Sequence, residues 1–459
     1  MKCFFLHAQQ TGVAKLLPLL TFDHGIRIPP DKKIQTVFSW GTTKETDQKK
    51  TMFKTLELHG LKIAPSIQNS DFRIQFRIPV FQLKALCVFM RKSPKTIWSV
   101  LPHLAADKPH FVELDLNESI GFYVRRAVRE ARKAVYALGL DIALVHVGIL
   151  GRGDTIVMDV DPAPVLNQRL AECYAEALNS YASGLKAVKQ SLVSESIMIG
   201  ADPEFILRRP NGKVVSADRF MAREGAVGCD AVVLSGHRII LPLVELRPQP
   251  SNSPIALTVH LQSLMQRAEK IINDPGLDWL AGAMPVKGLP LGGHIHFSGV
   301  ELTSQLLRVL DNYLALPLVL LEGESAFQRR PRYGFLGDFR HQSHGGFEYR
   351  SLPSWLISPQ ITVGVLSLAY VIAHHYHELQ QRPLDQLEVQ RAFYRGNKNL
   401  IMPIVEKLWW DVKKTAMFEK FHQELSHLFQ LILLKEAWQE QADFRKNWKI
   451  ISSSVDRSY

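Results

Sequence analysis

Residues 292–299 read GGHIHFSG, and His294 and His296 in that stretch stand two apart with Ile295 between them. In a β-strand alternate residues share a face, so both imidazoles point one way and Ile295 and Phe297 the other. The paired glycines ahead of them let a ligand or a second backbone come close. Three further segments repeat the device: Asp202 and Glu204 in GADPEF, Glu245 and Arg247 in VELRP, and Glu348 and Arg350 in GFEYRSLPSW. Four strands that each aim two polar groups at one surface predict an antiparallel or mixed sheet with one chemically active face.

The residue types narrow the chemistry. Carboxylates and imidazoles on a shared face can hold a divalent cation, and arginines there can hold phosphate. A His-x-His pair also occurs in zinc hydrolases, but the oxygen-rich company of Asp202, Glu204, Glu245 and Glu348 favours magnesium or manganese. Glu245 ends the apolar run LPLV, where a bare carboxylate is costly, so it needs either a cation or a salt bridge such as Arg247. Asp202 and Glu204 read alternatively as a solvated turn, and Pro203 between them predicts that this strand is an edge or starts there. Upstream of Glu348, the segment FQRRPRYGFLGDFRHQSHGG carries Arg329, Arg330, Arg332 and Arg340. The planar guanidinium fork suits phosphate, although a solvated basic loop has the same composition.

Helices are expected around these strands. Ser253 followed by Pro254 is an N-cap and first-turn pair, with Leu257, Leu261, Leu264, Met265, Ala268, Ile271 and Ile272 at helical spacing after it. A second helix begins near Thr303 and is expected to kink at Pro317. From about residue 359 the chain reads as mostly helical, ending in a polar tail from Arg445 that is expected to fray. Before residue 190, candidate strands (IQTVFSWG, FRIQFRIPVF, IALVHVGIL, TIVMDVDPAP) alternate with two helices, one basic and amphipathic from Arg125 to Gly139, predicting an α/β or α+β domain. Two domains follow, 1–190 and 191–459.

The net charge of +11 is compatible with an anionic partner, but no nucleic-acid motif accompanies it. No apolar run spans a bilayer and no secretory leader is read at the start, so a cytoplasmic protein without membrane attachment is expected. The four cysteines Cys3, Cys87, Cys173 and Cys229 form no close pair in sequence, which fits a reducing compartment.

The ordered set GADPEF, VELRPQP, GGHIHFSG, RPRYGFLGDFR and FEYRSLPSW, over roughly 197–360, resembles the phage-type carboxylate–amine ligases (amidoligase type 2) of the glutamine synthetase and glutamate–cysteine ligase superfamily. The resemblance implies an α+β fold with a curved antiparallel sheet, and ATP with Mg2+ or Mn2+ as cofactors. It implies phosphorylation of a substrate carboxylate and attack by an amine on the acyl phosphate. Asp202, Glu204, Glu245, His294 and Glu348 would then be metal ligands. Arg350, Arg340 and Glu348 would act on the transferred group, and Arg332, Arg329, His296 and Arg247 would contact the nucleotide or substrate. The substrate would be a small molecule, peptide or protein offering a carboxylate and an amine. The first domain resembles a degenerate ATP-grasp region, with Asp159 and Asp161 as its candidate carboxylates and substrate recognition as its role. Rival readings are a non-catalytic binding protein, a metal-dependent hydrolase built on the His-x-His pair, and a kinase-like enzyme.

Overall fold

The computed structural model describes residues 12–21, 45–63, 71–92, 110–115, 120–190, 197–233 and 238–450. The expected strand IQTVFSWG and Cys3 lie outside them. The chain divides into two compact units, Met1–Ser194 and Glu195–Tyr459.

The first unit is built on a sheet of six strands: β1 (Phe72–Phe81), β2 (Lys84–Ala85), β3 (Phe89–Lys92), β4 (Val112–Glu113), β5 (Ile142–Leu150) and β6 (Thr155–Asp161). Their order is β4-β3-β1-β5-β6 with β2 on β1, and every ladder is antiparallel, the α+β form of the two expected. The alternation in FRIQFRIPVF decides which face is buried: Phe76, Ile78 and Val80 turn to a core with Val145 and Val147. Helices α1 (Glu45–Leu58) and α2 (Phe122–Ala137) cover that face. Ala127, Ala131 and Ala134 form the contact stripe of α2, and their small side chains let the helix sit close on the sheet. The opposite face is partly covered by α3 (Gln168–Gln190), through Leu170, Tyr174 and Leu178 against Phe81 and Ile142. The Tyr174 hydroxyl donates to Ala143 O at 2.9 Å.

The second unit holds an eight-stranded antiparallel sheet: β7 (Met198–Arg208), β8 (Val214–Val215), β9 (Val227–Val233), β10 (Ile239–Leu246), β11 (Asp278–Leu280), β12 (Gly293–Ser298), β13 (Phe339–His341) and β14 (Phe347–Tyr349). The order is β13-β14-β12-β7-β10-β9, with β8 and β11 also on β7. β7 is therefore the spine of the sheet, which corrects the expectation that Pro203 marks an edge. Glu204 N donates to Gly292 O at 2.9 Å, towards β12. The Pro203 nitrogen must then face the β10 side, where pairing begins only at Glu204. The missing N–H falls where the ladder has no acceptor to satisfy.

Helix α4 (Pro254–Ile272) is capped as expected, with the Ser253 hydroxyl accepting from Ala256 N. Helix α5 (Ser304–Leu310) runs into a π-helical turn at Asp311–Ala315 ahead of Pro317, so the expected kink takes the form of a widened turn. That turn carries Asp311, which accepts the hydroxyl of Tyr349 at 2.7 Å and so braces β14 from behind. The remainder is helical: α6 (Pro359–His375), α7 (Leu387–Arg395), α8 (Lys398–Lys413) and α9 (His422–Leu434). A Cβ on Gly364 of α6 would crowd Leu428 of α9, so the two helices meet at a glycine.

The tail does not fray over residues 445–450. Arg445 is buried against Asp443, donates to Leu277 O at 2.6 Å and lies 4.9 Å over the Trp279 ring. Trp448 is buried and donates its indole N–H to Leu356 O at 2.8 Å. The Arg445 charge reflects pairing and not solvation, while Lys446, Asn447 and Lys449 stay exposed on the surface of the packed segment. Trp448→Ala is expected to lower stability by about 3–5 kcal/mol, the usual range for emptying a buried aromatic site. Chemical denaturation checks it, and a loss below about 1 kcal/mol would mean that the segment packs only peripherally.

Candidate functional site

The register of the second sheet determines which polar pairs meet. His294 sits opposite Asp202, and His296 opposite Glu348 and Gly200. Arg340 sits opposite Glu348, and Glu245 opposite Glu204. The four pairs therefore form one surface across β14, β12, β7 and β10. Two groups of potential ligand atoms emerge, each with its atoms within 4.8 Å of one another: Asp202, His296 and Glu348, and Glu204, Asp230 and Glu245. Asp202 and Glu204, expected to act as one pair, belong to different groups. Asp230 in VGCDAVV escaped the sequence reading. Its signal is the one that exposed Glu245, a carboxylate inside a short apolar strand.

Burial is severe for such groups. Glu348 is 1% exposed, Glu204 5% and Glu245 6%. Glu204 accepts from Gly292 N at 2.6 Å, and a Cβ on Gly292 would overlap the His294 ring, so the first glycine of GGHIH is required by close approach. A Cβ on Gly293 would strike Pro353 O and the Trp355 ring, which donates its indole N–H to Gly293 O at 2.9 Å. His294 Nδ1 lies 3.2 Å from Asp202 Oδ1 and 3.1 Å from Glu348 Oε1, and His296 Nε2 lies 3.1 Å from Asp202 Oδ2. These atoms are near one another without hydrogen-bond angles: Asp202 Oδ1, His294 Nδ1 and His296 Nε2 are all buried without a hydrogen-bond partner. Buried polar atoms that converge yet satisfy no hydrogen bond fit ligands around a shared cation. His296, expected at the nucleotide, thus stands among the carboxylates.

The electrostatics agree with the geometry. Burial drives the Glu204 carboxyl up to about 7, aided by Asp230 and Asp202 and only partly opposed by His294 and the Gly292 N–H. Burial also works against the Asp202 carboxylate, but attraction to His294 and His296 outweighs it and holds Asp202 well below the usual range. His294 is the counterpart: burial opposes its imidazolium, yet Asp202 and Glu204 raise it overall.

The arginines divide into two uses. Arg350 Nε lies 3.1 Å and Arg340 Nη1 3.5 Å from Glu348, which also accepts from Gln342 at 3.1 Å. Arg247 pairs with Glu245 and donates to Gly225 O at 3.0 Å. A Cβ on Gly228 would crowd Arg247, so this strand too needs a glycine beside its charged pair. Arg332 is exposed and lies beside Val233 at the end of β9. Arg329 differs from expectation. It is buried, with its terminal nitrogens donating to Ser351 O at 3.3 Å and Leu352 O at 3.0 Å, so it struts the segment after Arg350 from beneath. Burial lowers its guanidinium to about 10. Arg330 is likewise internal, paired with Glu322 at 2.5 Å above the Phe393 ring.

The family model described as Phage phiEco32-like COOH.NH2 ligase-type 2 matches residues 199–450, which contain all four pairs and Asp230. None of the curated proteins matches. Among solved structures, a glutamine synthetase from Plasmodium falciparum is similar at 9% identity and a TM-score of 0.33, covering 83% of this chain and 95% of that one. A bifunctional glutathione synthetase from Pasteurella multocida is similar at 10% identity and a TM-score of 0.29, covering 55% of this chain and 53% of that one. The present chain thus spans about half the length of that glutathione synthetase. An ADP complex of GmaS is similar at 12% identity and a TM-score of 0.26, covering 61% of this chain and 83% of that one. Among the described residues no helix is long and apolar enough to cross a membrane.

Glu204 yields a pH prediction. Its folded carboxyl titrates at about 7, above the ordinary value of 4.5, so between these limits the folded metal-free protein holds more protons than the unfolded chain. Its contribution to stability therefore falls as pH rises from 4.5 to about 7. A cation that binds the carboxylate must displace a proton below about pH 7 but not above it. Magnesium is expected to raise the melting temperature more at pH 8 than at pH 6, with the difference abolished in Glu204→Gln. Equal shifts at both pH values in the wild-type protein would remove Glu204 from the cation site.

Proposed function

We propose that this chain, which belongs to the phage phiEco32-like COOH.NH2 ligase-type 2 family, joins a carboxylate to an amine in an ATP-dependent reaction through an acyl phosphate. The observation that carries the reading is the pair of adjacent carboxylate groups on one sheet face with Arg350 and Arg340 at its margin. Asp202, His296 and Glu348 would hold one divalent cation, with His294 beside them. Glu204, Asp230 and Glu245 would hold another. Oxygen donors in the majority favour magnesium or manganese. Such ions, when bound, neutralise the phosphate charge of a nucleotide.

The arginines supply the rest. Arg350 is ion-paired with Glu348, its Nε 3.1 Å from Oε1, and its terminal nitrogens would face a transferred phosphoryl group as a planar fork. Arg340, exposed beside it, would steady the phosphate or the acyl substrate. Stabilising charge on the equatorial oxygens is the principal protein contribution to phosphoryl transfer. Attack by the amine then releases phosphate and leaves the amide. The first unit would recognise the substrate, with Asp159 and Asp161 outside the chemistry.

The test is ATP consumption by the purified chain with magnesium, pooled amino acids and small peptides, and hydroxylamine as a trap. Hydroxamate with ADP is the expected product. A stable phosphorylated product would favour a kinase-like reaction, and zinc-dependent hydrolysis without ATP would favour the hydrolase. Glu348→Gln is expected to lower turnover by at least about 10²–10³-fold, the scale for loss of one transition-state charge contact, while the melting temperature stays near that of the wild type. Asp159→Asn and Asp161→Asn are expected to retain near-wild-type ATP turnover. A large loss in either would move the nucleotide site to the first unit.

A further inference from the structure

Cys87 and Cys173 stand 86 positions apart and show no pairing in the sequence, yet their sulfurs lie 3.2 Å from each other. Both side chains are buried, and both are free thiols. Cys87 lies between β2 and β3, while Cys173 lies on the face of α3 turned to the sheet. One turn before Cys173 on the same helix, Arg169 donates to Glu113 of β4 at 2.8 and 2.7 Å. One Glu113 oxygen lies within 4.8 Å of both sulfurs, and this exposed ion pair brings solvent within one side chain of them.

We propose that Cys87 and Cys173 form a redox modification site, at which a hydroperoxide converts the pair to a disulfide that ties α3 to the β2–β3 segment. Two thiols and one carboxylate would also make three ligands for a soft metal, but the Arg169 fork occupies the Glu113 oxygens and sets a positive charge against any cation. The same charge favours a thiolate. The hydrogen bond between the two sulfurs, together with Arg169, lowers Cys173 against burial and Glu113, whereas that hydrogen bond and burial raise Cys87. One sulfur is thus set to attack and the other to resolve.

The chemistry balances with hydrogen peroxide as oxidant. The Cys173 thiolate attacks one peroxide oxygen, the O–O bond breaks, and hydroxide leaves, giving the sulfenic acid. The Cys87 sulfur then attacks the sulfenic sulfur, the S–O bond breaks, and the Cys87 proton departs with the hydroxyl as water. Two electrons pass from the dithiol to the peroxide, and a dithiol reductant reverses the step.

The test is peptide mass spectrometry of the full-length chain, reduced, treated with hydrogen peroxide, alkylated and digested without reductant. The expected result is a Cys87–Cys173 cross-linked peptide lacking the two thiol hydrogens, restored to two alkylated peptides by dithiothreitol. In Cys87→Ser the cross-link is absent, and dimedone is expected to label Cys173. The wild-type measurement stands alone if that variant fails to fold. Alkylation of both residues after peroxide treatment would overturn the proposal, as would oxidation of each to sulfinic acid without a cross-link. So would stoichiometric zinc that shields both thiols until a chelator removes it.

Discussion

Five carboxylates share one surface of the second sheet, and their mutual repulsion is the constraint around which the unit is arranged. Asp202, Glu204, Asp230, Glu245 and Glu348 come from β7, β9, β10 and β14, brought together by register. Burying an uncompensated carboxylate costs several kcal/mol, so the surface demands positive charge from somewhere. The protein supplies some of it through His294, His296, Arg247, Arg340 and Arg350, and leaves Glu204 to hold a proton instead. A site that is short of positive charge in isolation is prepared to receive it with a ligand.

The supporting structure keeps this arrangement rigid from behind. The hydroxyl of Tyr349, between Glu348 and Arg350, is held by Asp311 in the π-helical turn. The indole of Trp355 is tied to Gly293, and Arg329 clasps the carbonyls of Ser351 and Leu352. On the other side of β7, Phe205 stacks at 4.6 Å on Trp279, which Arg445 covers. β14, β12 and β7 are thus each fixed by a buried aromatic group that takes no part in the surface itself. Preorganisation of this kind keeps ligand atoms converged without hydrogen bonds between them.

Much of the site could be read from sequence because an i, i+2 polar pair inside an apolar strand is a local signal. The four pairs and the capped helix at Ser253 needed no knowledge of distant residues. What the sequence withheld was non-local. The division of Asp202 and Glu204 between two groups depends on which strand lies on each side of β7. Asp230 has a single polar position and a partner set 26 residues back and 15 ahead, at Glu204 and Glu245. Arg329 looked like its neighbours in a basic run, and only its burial separates a strut from a phosphate contact. Pro203 misled because the rule against proline in a central strand assumes an acceptor opposite its nitrogen. The family likeness added roles to residues that the pattern had already marked, and did not distinguish Arg329 from Arg332.

The alternation within each pair has a consequence for how the sequence can vary. Between the two polar residues stands a buried one: Pro203, Leu246, Ile295 and Tyr349. Deleting or inserting a single residue in any of these strands reverses the facing of everything beyond the change. Charged groups would enter the core while bulky apolar side chains blocked the surface, two failures from one event. Point substitutions damage one contact at a time, so the donor strands can drift in composition but are locked in length. Descendants of this chain should therefore absorb their insertions and deletions in the turns between those strands.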